Sequence, residues 1–68
     1  MKITENTIEF GDPDSFDAYV IEHSLDEAGD PYIAISDPFD EYVVLSTEAI
    51  VRKCIEALEE SLRFGWVK

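Results

Sequence analysis

The chain has 68 residues, 46% of them hydrophobic, and sets sixteen Asp and Glu against five Lys and Arg for a net charge of −11. That length allows one small domain, residues 1–68, with a core so thin that dimerisation is a live option. The charge repels phosphate and anionic lipid, which argues against direct nucleic-acid and membrane binding, and no apolar run reaches the roughly 18 residues that span a bilayer.

Lys2–Phe10 reads as the first strand from its Thr and Ile content, although Ile3 is out of phase with Ile8 and Phe10. Gly11 to Ser15 forms a hairpin connection, with Gly11 free to take positive φ. The second strand, Phe16–Ser24, places Phe16, Ala18 and Val20 on one face and Tyr19, Ile21 and His23 on the other. A polar connection, Leu25 to Pro31, leads to a third strand at Tyr32–Ser36, and Asp37–Glu41 turns the chain into a fourth at Tyr42–Ser46. All three prolines follow an aspartate at a turn, which keeps the preceding residue out of helical geometry.

From Ser46 the period changes. Ser46 or Thr47 can cap a helix whose apolar residues Ile50, Val51, Cys54, Ile55, Leu58 and Leu62 recur at three- and four-residue spacing. Glu48 with Arg52 and Glu59 with Arg63 suit an exposed face, Gly65 suits the stop, and Trp66 and Val67 can then fold back on the core. The expected architecture is α+β: a small antiparallel sheet of three to four strands, ββββα, with the C-terminal helix packed on one face.

No residue constellation names a reaction. The Asp12, Asp14, Asp17 cluster lacks the Gly and Glu that a calcium-binding loop counted from Asp12 requires, since those positions hold Asp17 and His23; a looser divalent-ion site there is a minor reading, and no metal or cofactor is assigned. His23 and Cys54 are too few for zinc, and Cys54 lies on the apolar helix stripe, where a thiol behaves as a small hydrophobe. The chain therefore reads as a non-enzyme. A single cysteine also excludes an intrachain disulfide, and the N-terminus has no cationic-then-apolar leader pattern, so a cytoplasmic setting is expected.

The distribution of charge is the informative feature. Between Ile3 and Val51 there are thirteen acids and no Lys or Arg, so residues 1–51 carry −12 and residues 52–68 carry +1. Like charges at that density oppose folding even with a screening length of about 8 Å, a cost that an interaction surface would explain. The candidate partner-binding acids are Asp12, Asp14 and Asp17 before the second strand, Glu22 within it, Asp26, Glu27 and Asp30 after it, and Asp37, Asp40 and Glu41 before the fourth. Two of these stretches hold a near-repeat, FDAYVI at residues 16–21 and FDEYVV at 39–44, read as one strand-entry device used twice.

In size, acidity and sheet-plus-helix layout the chain resembles the small acidic inhibitors encoded by bacteriophages and mobile elements, including anti-CRISPR and anti-restriction proteins that act as DNA mimics. The resemblance rests on the composition of residues 3–51. It implies blockade of a basic nucleic-acid-binding surface on a defence complex or nuclease in a bacterial host cell. The alternative is a structural or assembly module, or a domain of antitoxin or immunity type, acting through protein contacts, with acidity serving only solubility. In that reading a homodimer forms through an open sheet face bearing Tyr19, Ile21 and Tyr42.

Overall fold

A computed structural model describes residues 1–15 and 17–67; Phe16 and Lys68, and the expectations placed on them, lie outside the described residues. The chain forms a five-stranded antiparallel meander followed by one helix. In chain order the strands are β1 (Lys2–Ile3), β2 (Thr7–Asp12), β3 (Asp17–Leu25), β4 (Pro31–Ser36) and β5 (Tyr42–Leu45), and the helix is α1 (Glu48–Arg63). The fold class is thus α+β, with one strand more than the sequence suggests.

The extra strand comes from the first segment. Thr4 stops it: its backbone N–H donates to the Thr7 carbonyl at 2.9 Å, and its hydroxyl accepts from the Thr7 N–H at 3.1 Å. The three-residue reversal Thr4–Glu5–Asn6 brings Ile3 opposite Ile8. The phase break at Ile3 is therefore the mark of a turn, because a hairpin restores to one face two residues of opposite parity.

The β3–β4 and β4–β5 turns are copies of each other. In the first, the Asp26 carboxylate accepts from the Ala28 and Asp30 N–H groups, both at 2.9 Å. In the second, the Asp37 carboxylate accepts from Phe39 at 2.8 Å and Glu41 at 3.0 Å. The fourth residue of each has positive φ, 84° at Gly29 and 65° at Asp40. In each the N–H of that left-handed residue reaches back to the aspartate carbonyl, Gly29 to Asp26 at 3.0 Å and Asp40 to Asp37 at 3.4 Å, as in a common three-residue hairpin connection. Glycine adopts that conformation without penalty, whereas Asp40 bears a Cβ cost. Asp40→Gly should therefore raise the stability by about 0.5–1 kcal/mol in denaturant titration at fixed protein concentration.

This equivalence revises the near-repeat. Asp17 opens β3, but Asp40 is the left-handed residue of a turn, and Tyr19 and Tyr42 fall on opposite faces of the sheet. The local repeat is LDEAGD with SDPFDE, two uses of one turn.

Helix α1 starts as its composition dictates. Thr47 is the N-cap, its hydroxyl accepting from the Ile50 N–H at 3.1 Å, and Glu48 pairs with Arg52 at 2.7 Å. Arg63 pairs with Glu60 rather than with Glu59, and Lys53 with Glu56 at 3.3 Å. Gly65, at φ 70°, ends the helix: its N–H reaches the Leu62 carbonyl while the Trp66 N–H reaches Ser61, the paired bonds of a Schellman motif.

Two expectations about packing do not hold. The helix does not lie on the sheet, and its apolar stripe is open, with Ile55, Leu58 and Leu62 each more than half exposed. Trp66 does not fold back either; it stacks on Phe64 with ring centroids 5.6 Å apart and stays 74% exposed. The connection explains the first result. Only Ser46 and Thr47 separate β5 from α1, and the Thr47 cap, in extended geometry at φ −135° and ψ 152°, directs the helix away. No described residue is buried, and the molecule measures 40 × 29 × 20 Å.

Candidate interaction surfaces

The strand registers sort the side chains into two unlike faces. Ile3, Ile8, Ile21, Ile35 and Val43 stand in one row across all five strands. Rows on either side add Phe10 with Tyr19, and His23 with Ile33 and Leu45. Phe10 and Tyr19 stack at 5.5 Å. Acidic charge on this face is confined to its end, where Asp12 and Asp17 are paired beyond Phe10 and Tyr19. The opposite face is mixed: Lys2 pairs with Glu9 at 3.9 Å, and Glu22, Ser24, Ser36, Tyr32 and Tyr42 alternate with small or β-branched residues. Tyr42 thus does not join Tyr19 and Ile21 on the apolar face, because Tyr42 is registered with Ser36 and through it with Val20.

The ten candidate acids do not form one array. Meander topology puts the β2–β3 and β4–β5 turns at one end of the sheet, so Asp12, Asp14 and Asp17 gather with Asp37, Asp40 and Glu41. Asp26, Glu27 and Asp30 lie at the other end, separated by the nine residues of β3, about 26 Å, and Glu22 projects from the mixed face between them. The six-carboxylate end spans four strands, about 14 Å, and B-form DNA carries roughly eight phosphates in that length. Its charge density is that of a polyanion.

Within this end the carboxylates do different work. Asp12 accepts from the Asp14 N–H at 3.0 Å and the Ser15 hydroxyl at 2.9 Å, and Asp37 holds its own turn. The side chains of Asp14, Asp17, Asp40 and Glu41 are exposed and make no hydrogen bond or ion pair within the described residues. Asp12 and Asp17 face each other directly across β2 and β3, a like-charge pair that opposes the pairing it flanks.

Among the described residues no group of three or more His, Cys, Asp or Glu side chains is placed to hold a metal ion, and no helix is long and apolar enough to cross a membrane. A shallow hollow lies where the helix leaves the sheet, lined by His23, Ile33, Leu45 and Val51, and it is mainly apolar. No family model matches the chain, and comparisons with curated proteins and with solved structures find no match.

Proposed function

We propose that this is a non-enzymatic inhibitor that docks its acidic sheet end on a basic, nucleic-acid-binding surface of a partner protein. The observation that carries this reading is the convergence of six carboxylates from two adjacent turns, in a segment of 49 residues, 3–51, without one Lys or Arg. The turns are braced by their own aspartates, so the outer carboxylates are held by hairpins, and little ordering entropy opposes binding. A channel evolved for nucleic acid would meet comparable charge density, with counterion release as the driving force and no bases to read. Blockade of a bacterial defence complex or nuclease is the biological setting this chemistry fits.

The test is capture of proteins from a bacterial lysate at low salt, followed by salt titration and competition with duplex DNA. Binding should fall as salt rises, and DNA should compete. The double variant Asp14→Lys/Glu41→Lys spares the turn-bracing aspartates and should weaken binding at least tenfold, whereas Glu27→Lys, at the far end, should change it less than threefold. A partner indifferent to salt and to the double variant would remove the reading.

A further inference from the structure

We infer that the chain is completed by a second copy of itself, with helix α1 of each protomer laid across the apolar sheet face of the other. The surface area is the first observation. The chain exposes 5962 Å², whereas a folded monomer of 7.7 kDa exposes roughly 4,300 Å². The excess, about 1,600 Å² per chain, gives about 3,200 Å² for two, within the range of obligate homodimers and beyond that of transient contacts. The radius of gyration agrees: 13.4 Å, against about 11 Å for a compact chain of this length.

The two open surfaces are each other's complement. The apolar row from Ile3 to Val43 crosses five strands, about 19 Å, and the 16-residue helix is about 24 Å long, with Ile50, Cys54, Leu58 and Leu62 along one side. Charge opposes this contact less than any contact between two sheets, since helix α1 sets Glu48, Glu56, Glu59 and Glu60 against Arg52, Lys53 and Arg63, a balance of −1, whereas residues 1–47 carry −11. Within one chain the two-residue connection and the Thr47 cap turn the helix away from its own sheet. Reciprocal exchange about a two-fold axis satisfies both faces at once and leaves no open end for further addition. With no buried residue among those described, the single chain shows no core of its own, and the dimer supplies one.

This inference stands apart from the inhibitor reading, and salt separates them: screening should strengthen association of two chains of charge −11 while weakening binding to a basic partner. In sedimentation equilibrium at tens of micromolar, the purified protein should have twice its 7.7 kDa chain mass. Its thermal midpoint should rise by about 5 °C per tenfold increase in concentration. Leu58→Glu on the helix and Ile35→Glu on the sheet should each weaken association at least tenfold, and mixing the two variants should restore part of it, because one intact helix then meets one intact sheet. Where the glutamate variants fail to fold, Leu58→Ala and Ile35→Ala should show the same loss to a smaller degree. A species of single-chain mass whose midpoint is independent of concentration would overturn the proposal. So would loss of association from only one of the two sites, which marks a sheet-to-sheet or helix-to-helix contact, or a stoichiometry other than two.

Discussion

Gly11→Ala is expected to be the most damaging single-methyl change in the chain, costing on the order of 3–5 kcal/mol. Two effects add. Gly11 has φ 97°, a conformation that L side chains rarely adopt, and forcing alanine into it costs on the order of 1–3 kcal/mol. A Cβ at this position would also lie 1.7 Å from the Asp17 carbonyl oxygen, and backbone cannot swing aside as a flexible side chain does. The β2–β3 ladder would have to open from Gly11–Ala18 outward, where Asp12 and Asp17 already repel. Gly29→Ala is the natural control. Gly29 has a similar φ, 84°, but a Cβ there meets nothing within 4 Å, so only the conformational cost of about 1 kcal/mol remains. Chemical denaturation of both variants at one protein concentration measures the difference. Equal losses would show that the β2–β3 end can relax around a methyl group.

The second large effect concerns an aspartate that sequence reasoning assigned to a partner. Asp37→Ala should cost about 2 kcal/mol, because one carboxylate oxygen accepts from two N–H groups of the same turn and no other described side chain reaches them. Asp26→Ala removes the matching pair at Ala28 and Asp30 and should cost a similar amount. The neighbouring acids behave differently. Glu41→Ala and Asp14→Ala remove no side-chain hydrogen bond among the described residues and relieve repulsion, so they should leave the midpoint of unfolding unchanged or raise it. The contrast separates acids that build the turns from those the turns present. Loss of stability in all four variants would contradict it.

Much of the fold was written in local patterns. The strand segments and their turns stand out because Asp-Pro and Gly punctuate β-branched runs, and the helix because six apolar residues keep its period. The first hairpin was also legible, in the parity break at Ile3, but a run of β-branched and polar residues reads as one strand until the break is taken as a turn. The direction of the helix was not legible. An amphipathic stripe says that something apolar must cover it, not whether the cover belongs to the same chain, and here that depends on two residues, Ser46 and Thr47. The acidic site was half visible: counting charges found the asymmetry, whereas dividing it between the two sheet ends required the order of the strands. Nor does composition reveal that Asp12, Asp26 and Asp37 spend their oxygens on neighbouring N–H groups.

A meander of five strands must stop somewhere, and both of its margins are short: β1 has two residues, and β5 has four before the chain becomes helical. Beyond its pairing with β1, the outer side of β2 runs on through Phe10, Gly11 and Asp12 with no strand of the described residues beside it. Segments as β-prone as YIAIS and YVVL, in a chain whose apolar face is open, are the material from which cross-β aggregates grow. Stacking identical chains at the 4.7–4.8 Å spacing of such aggregates would bring together copies that each carry −11. The same carboxylates therefore act as gatekeepers, because each chain added in register brings its repulsion to all those already stacked.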